Sequence, residues 1–184
     1  VSRGDGADFS TIHIFDTETN EQVAEFMGKV STTELARILK SLGHEWNDAI
    51  ISVENANIGW AVLQTLINLE YPNLYYSNPS DPTIVDLSKN IFTNKINAEE
   101  KKLVAGFTTS SKTRPVMVDK VIQYTHNHIE ELKINSSRLV GQFWTWVWKP
   151  TSNNTRADHL SGYHDDLIMA FGQYLWLKDV NLKL

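Results

Sequence analysis

Two adjacent aspartates stand where a polar loop gives way to an apolar helical pattern, in the stretch GYHDDLIMA over residues 162–170. Apolar side chains follow Asp165 and Asp166 at helical spacing, so both acids are expected in the first turn of a helix. The positive end of the helix dipole favours negative charge there, and many acids at that place only start a helix. Metal binding is the alternative, and the pair alone does not decide between the two roles.

A third acid, Glu54, directly follows a short apolar run over 49–53 that is predicted to be a buried strand. Open α/β sheets place their sites at the carboxyl ends of strands, so Glu54 and the aspartate pair are candidates for one shared site. Carboxylates suit phosphodiester hydrolysis, in which two divalent ions about 3.5–4 Å apart stabilise the attacking and leaving oxygens. The sequence therefore predicts Glu54, Asp165 and Asp166 as catalytic residues and metal ligands.

The two aspartates are not expected to be equivalent, because neighbouring residues of a helix point about 100° apart. One is predicted to bind the ion directly, and the other to cap the helix or to support the site. Asp8, in the glycine-rich opening loop, and His164, next to the pair, are further candidates for a supporting role.

Three cations are candidates for contacts with nucleic acid. Lys112 and Arg114 stand at the predicted entrance of a helix, and Arg3 lies in the opening loop. Lysine and arginine bind phosphates without regard to base sequence. The alternative for most lysines, including the pair at 101–102, is a solvated face.

Composition removes several classes of protein. The 184 residues contain 41% hydrophobic and 21% charged residues, which fits one globular domain, predicted over 1–184. No cysteine is present, so metal ligands must be oxygen or imidazole, and oxygen ligands favour Mg, Ca or Mn. The net charge of −5 argues against binding nucleic acid through overall charge alone. We find no Walker A motif, no G-x-S-x-G motif, no signal peptide and no membrane-spanning stretch, and we expect a soluble intracellular domain.

Periodicity predicts alternating strands and helices. Strands are expected over 11–15 and 22–27 as an antiparallel pair, then over 49–53 and 74–76. A helix is expected after the Ser31/Glu34 capping box, ending at Gly43, and another through 62–67. Two more helices are expected. One begins after the cap Thr113, with Pro115 in its first turn, and the other begins after the cap Ser136.

Helix and strand cannot be distinguished over 144–148, whose aromatic residues are expected in the core. Residues 150–161 are expected to be a loop, and 77–106 an insertion or functional arm.

Four motifs in order carry a resemblance: VSRGDGADFS over 1–10, ENANIG over 54–59, SSKTRP over 110–115 and GYHDD over 162–166. Together they resemble the C-terminal nuclease domain of the large terminase subunit, the DNA-packaging motor of tailed bacteriophages. The resemblance implies an α/β, ribonuclease H-like fold, with a mixed central sheet, antiparallel first strands and flanking helices. It also implies a Mg²⁺- or Mn²⁺-dependent endonuclease with a two-ion site, which cuts concatemeric double-stranded viral DNA.

The family has an acidic triad, and the resemblance assigns it residue by residue. Glu54 matches the second acid, and Asp166, with Asp165 beside it, matches the third. The first acid belongs one residue ahead of Val1 and is not in this sequence, so the first strand is expected to be truncated. The implied partners are double-stranded DNA, the portal protein, the small terminase subunit and a preceding N-terminal ATPase domain, in the cytoplasm of the infected bacterial host, with no membrane partner.

Two other interpretations stay open. One is another ribonuclease H-like nuclease, such as a resolvase or transposase core, which would prefer DNA junctions to linear duplex. The other is a non-catalytic nucleic-acid-binding domain of the same fold, whose acids are structural and which would show no metal-dependent cutting.

Overall fold

The computed structural model of the chain describes residues 1–6, 8–77, 103–150 and 155–181. Most of the insertion predicted over 77–106 lies outside these residues. Its two ends are described, and they meet: strand β3 (Tyr76–Ser77) pairs antiparallel with β4 (Val104–Ala105).

The chain opens with the predicted antiparallel pair. Strand β1 (Ser10–Asp16) pairs with β2 (Glu21–Gly28), and the register shifts between Ile14 and Phe15. Asn20 takes a positive φ of 54° in the turn between them, a conformation that asparagine tolerates better than most residues. Both predicted strands are therefore confirmed, each slightly longer than expected.

Helix α1 (Thr32–Glu45) begins at the predicted cap, where the Ser31 hydroxyl accepts a hydrogen bond from the Glu34 amide at 3.2 Å. The predicted end at Gly43 is wrong, because the helix continues to Glu45. Gly43 is buried against Tyr71, and a Cβ at this position would lie 2.2 Å from the Tyr71 hydroxyl oxygen. The glycine therefore allows a close approach of the Tyr71 ring and does not terminate the helix. Helix α2 (Gly59–Asn68) packs against α1.

Residues 51–55 are bridged to two later segments of the chain, in a less regular form than predicted. In place of a continuous strand over 49–53, two isolated parallel bridges join Ile51 to Leu74 and Glu54 to Phe107. The Tyr75 amide donates to the Ile51 carbonyl at 3.0 Å, and the Phe107 amide donates to the Val53 carbonyl at 2.8 Å. Among the described residues, the named strands form three two-stranded sheets, and isolated parallel bridges join further segments.

The second half of the chain is mainly helical. Helix α3 (Thr113–Asn127) leads through a single 3₁₀ turn (Ile129–Glu131) to α4 (Ser137–Phe143). Strands β5 (Trp146–Pro150) and β6 (Thr155–His159) form an antiparallel hairpin, and α5 (Asp166–Asn181) is the last described element. Within the described residues, no helix is both long and apolar enough to cross a membrane.

Several local predictions for this half are settled. Ser136 caps α4 as predicted, by accepting from the Leu139 amide at 2.8 Å, and Pro115 lies in the first turn of α3. Thr113 is not the cap of α3, because its hydroxyl donates to the Thr108 carbonyl at 2.7 Å, while the Ser110 hydroxyl accepts from the Thr113 amide at 3.1 Å. The region 144–148 is largely strand, and β6 lies where a loop was predicted.

Three groups of buried apolar side chains form the core. One joins α1 and α2 to residues 51–53, one joins α3, α4 and α5 to Phe15, and a smaller one surrounds Phe107 and Trp176. The expectation that the aromatic residues of 144–148 are buried is wrong for two of them. Trp144 is 82% exposed and Trp148 is 60% exposed.

Candidate metal centre

The two central aspartates stand at the start of α5. Asp166 is the first helical residue, as predicted, whereas Asp165 precedes the helix and accepts a hydrogen bond from the Met169 amide through its backbone carbonyl at 2.9 Å. The free amides of the first turn bond instead to Gln142 of α4, whose side-chain oxygen accepts from Leu167 at 2.9 Å and from Ile168 at 3.3 Å. A remote residue therefore caps the helix, and neither aspartate carboxylate is needed for that role.

Asp166 lies in a partly buried, acidic environment. Its Oδ2 is buried and makes no hydrogen bond, and it lies 3.7 Å from Nδ1 of His164. Burial raises the pKa of Asp166; the charge of His164 opposes this change, whereas the charges of Asp165 and Asp8 add to it. A carboxylate that is desolvated among other acids and lacks a hydrogen-bond donor is suited to bind a cation.

Asp165 points to a different set of neighbours. Its Oδ1 lies 3.4 Å from Nδ1 of His159, and its Oδ2 is buried without a hydrogen bond, 3.7 Å from the Arg114 guanidinium. Arg114 also donates to the Ala157 carbonyl at 3.3 Å and contacts the Met169 sulfur at 3.0 Å. Arg114, predicted to contact DNA, thus lies against an acid of the centre.

The hairpin β5–β6 adds two residues that were not predicted for the site. Asp158, Asp165 and His159 each present one ligand atom, and these three atoms all lie within 4.8 Å of one another. From the sequence His159 was expected to be an ordinary surface or core histidine. The signal that identifies it is the adjacent Asp-His pair that ends β6, six residues ahead of Asp165.

Glu54 lies at the bridge to Phe107, partly buried. Asn55 fixes the backbone beside it by donating to the Ala105 carbonyl at 3.0 Å and to the Thr108 hydroxyl at 2.9 Å. The Ser52 hydroxyl donates to Gln173 of α5 at 3.3 Å, so this segment lies along the helix that begins with Asp166. Across the described ranges, no hydrogen bond or ion pair joins the Glu54 carboxylate to Asp165 or Asp166.

The other predicted site residues lie around the acids. Asp8 is exposed and acts on Asp166 through its charge, and the His164 ring packs edge-on against Phe9 with centroids 5.4 Å apart. Arg3 is exposed and lies 3.5 Å from Asp5, and Lys112 is exposed at the start of α3. These two cations are thus accessible to a ligand.

A buried polar network connects the first hairpin to the acid-bearing helix. The Gln22 side-chain oxygen accepts from the amides of Asn135 (3.1 Å) and Ser136 (2.9 Å), so its amide nitrogen must be the donor to Nδ1 of His13 at 2.7 Å. Nε2 of His13 then carries the proton and donates to the Leu167 carbonyl at 3.0 Å. Burial lowers the pKa of His13 to about 4; the bond to Leu167 opposes this change and the charge of Arg138 adds to it. His13 is therefore held neutral, in one tautomer.

Comparisons with known proteins bear on the fold. No protein-family profile and no curated protein matches the sequence. The structure is similar to the large terminase nuclease from the thermophilic phage G20c with bound magnesium, with a TM-score of 0.62 and 13% identity over 91% of this chain and 74% of that chain. The same nuclease with bound cobalt gives a TM-score of 0.59 at 10% identity, over 91% and 80% of the two chains. A third structure of that nuclease gives 0.61 at 12% identity, over 91% and 74%.

This similarity confirms the predicted class of fold at a coarse level. The chain has a mixed α/β fold like that of terminase nuclease domains, with small antiparallel sheets and helices. The arrangement of the central sheet stays a prediction.

Proposed function

We propose that this chain is the nuclease domain of a viral DNA-packaging terminase, which cuts concatemeric double-stranded DNA by two-metal-ion phosphodiester hydrolysis. The observation that carries the proposal is the pair of aspartates at the start of α5. Each has a buried carboxylate oxygen without a hydrogen bond, although the helix amides beside them are already capped by Gln142. The fold shared with the G20c terminase nuclease supports the same conclusion.

Asp166, Asp165 and Glu54 are the proposed ligands for Mg²⁺ or Mn²⁺. The donor set fits these ions because all three side chains offer hard carboxylate oxygens. Ions held there would supply activation of a water molecule and stabilisation of the charge that develops on the attacking and leaving oxygens. The chain itself orients the acids: Gln142 holds the first turn of α5, and the Thr11 hydroxyl donates to the Asp166 carbonyl at 3.1 Å.

The first acid of the triad is proposed to be the residue that the resemblance places ahead of Val1. Arg3 and Lys112 are proposed to bind DNA phosphates from the rim of the site. The portal protein, the small terminase subunit and an N-terminal ATPase domain are the proposed partners, in the host cytoplasm.

The test is nicking of supercoiled plasmid by the chain extended at its start with the missing aspartate. We expect cutting with Mg²⁺ or Mn²⁺ and none with EDTA. Glu54→Ala and Asp166→Ala are each expected to reduce cutting to background, while Glu130→Ala, an exposed acid of the 3₁₀ turn, leaves it unchanged. Circular dichroism would verify that each variant remains folded.

Each alternative function has a distinct outcome in the same assay. Undiminished cutting by both Glu54→Ala and Asp166→Ala would refute the assignment of the site. DNA binding without any metal-dependent cutting would identify a non-catalytic binding domain. A strong preference for four-way junctions over linear duplex would identify a resolvase.

A further inference from the structure

We propose a second cation site in this protein, formed by Asp158, His159 and Asp165, that takes a first-row transition-metal dication in preference to Mg²⁺. The site shares Asp165 with the proposed nuclease centre. It does not depend on nuclease activity, because it follows from the geometry of the β5–β6 hairpin against the start of α5.

Two of the three distances between the donor atoms fit a single ion, and the third is at most 4.8 Å. Nδ1 of His159 lies 3.2 Å from Oδ1 of Asp158 and 3.4 Å from Oδ1 of Asp165. Two ligand atoms that are each about 2.1 Å from one ion lie about 3.0 Å apart in octahedral and about 3.4 Å apart in tetrahedral coordination. Both observed separations fall within this range without movement of the backbone.

Each carboxylate has an arginine beside its other oxygen, which is hydrogen-bonded in Asp158 and only an ion-pair neighbour in Asp165. Arg156 donates to Oδ2 of Asp158 from Nε at 3.1 Å and from a terminal nitrogen at 2.5 Å. Arg114 lies 3.7 Å from Oδ2 of Asp165. Oδ1 of Asp158 also accepts from the His159 amide at 3.0 Å, which fixes its direction. Oriented carboxylates of this kind are typical of metal ligands, whose remaining polar atoms bond to the surrounding protein.

Access to the site is one-sided. The side chains of Asp158 and Asp165 are 11% and 15% exposed, whereas that of His159 is 38% exposed. An ion can therefore enter beside the imidazole and meet two carboxylates that are already desolvated and positioned. Little ordering of side chains is then needed for binding.

The donor set determines which ion is preferred. The two arginines balance the charge of the two carboxylates, so excess negative charge does not drive binding at this site. Mg²⁺ loses water reluctantly and prefers oxygen ligands, so it gains little here. An imidazole nitrogen favours later first-row ions, so Co²⁺ is expected to bind more tightly than Mn²⁺.

A protonated His159 that bridges the two carboxylates as an ion pair is the competing explanation of this geometry. It predicts that His159 binds no metal, and a spectroscopic titration separates the two. Titration of the chain with Co²⁺ is expected to give the visible absorption of an imidazole-bound ion. His159→Ala is expected to weaken Co²⁺ binding by more than about 10-fold and to remove this spectrum.

Two variants complete the design. His126→Ala removes an exposed histidine of α3 that lies outside the cluster, and it is expected to leave the Co²⁺ spectrum unchanged. Asp158→Asn keeps the shape of the side chain but removes its charge, and it is expected to weaken Co²⁺ binding by about 10-fold or more. Tenfold excess Mg²⁺ should not displace the Co²⁺ signal.

Failure of this inference is distinguishable from failure of the proposed nuclease function. Equal Co²⁺ affinity and spectrum in the native chain and His159→Ala would overturn the second site, whatever the cutting assay gives. A Co²⁺ spectrum that needs His159, together with no cutting by the chain extended with the missing aspartate, would support the second site and refute the nuclease. Glu54→Ala is expected to retain the Co²⁺ spectrum.

Discussion

Acidification is expected to destabilise the folded chain through His13. Burial lowers the pKa of this histidine from 6.5 to about 4, so between these pH values the unfolded chain binds a proton that the folded chain does not. Folding stability therefore falls as the pH falls. A shift of this size corresponds to about 2 kcal/mol lost by pH 5 and about 3 kcal/mol by pH 4, relative to pH 7.

The measurement is urea denaturation of the native chain and of His13→Gln at pH 7, 6, 5 and 4. The difference in unfolding free energy between them isolates His13 from the acids that titrate in the same range. Between pH 7 and pH 4 we expect the native chain to lose about 3 kcal/mol of unfolding free energy relative to His13→Gln. Nitrogen NMR at pH 6 is expected to show neutral His13 protonated on Nε2, as its bonds to Gln22 and Leu167 require.

The control is His126→Gln, because His126 is exposed on the last turn of α3. Its unfolding free energy is expected to follow that of the native chain at every pH. Parallel pH profiles for the native chain and His13→Gln would refute the argument, as would a His13 that titrates near its ordinary value.

Further substitutions test the packing and the cap. Gly43→Ala is expected to destabilise the chain by about 1–3 kcal/mol, because the added methyl group would overlap Tyr71, whereas Gly141→Ala, at a helical glycine with open space, is expected to stabilise it by up to about 1 kcal/mol. Equal effects of the two changes in thermal unfolding would contradict the packing argument. Gln142→Ala is expected to cost about 1–2 kcal/mol and to accelerate hydrogen exchange at the first two free amides of α5, whereas Gln123→Ala, at an exposed helical glutamine, is expected to change neither. Unchanged exchange in the Gln142 variant would refute the remote cap.

Local signals account for the parts of the fold that the sequence predicts correctly. The first hairpin follows from alternating side chains, and the start of α1 follows from the Ser31/Glu34 box, because both depend on residues only a few positions apart. The predicted end of α1 was wrong because the role of Gly43 depends on Tyr71, which is 28 positions further along the chain. Periodicity cannot register such a contact.

The candidate site was predictable to the same limited degree. The adjacency of Asp165 and Asp166 and the cations at 112 and 114 are visible in the sequence. His159 and Asp158 were missed because the short polar strand β6 lacks the alternating apolar side chains from which a strand is predicted, and because their proximity to Asp165 depends on the tertiary fold. The exposed Trp148 was misjudged for the related reason that strand periodicity does not reveal whether a face is covered.

The bonds between β1 and the start of α5 also bear on the order in which the molecule assembles. Thr11 reaches Asp166 across 155 positions, and His13 reaches Leu167 across 154. Closing such a loop costs more conformational entropy than forming the local hairpins and helices, so contacts of this kind form late. During synthesis the acid pair emerges long after the strand that anchors it. The start of α5, with Asp165 and Asp166, is therefore among the last parts of the fold to form, and the proposed metal site is incomplete while the chain is still being made.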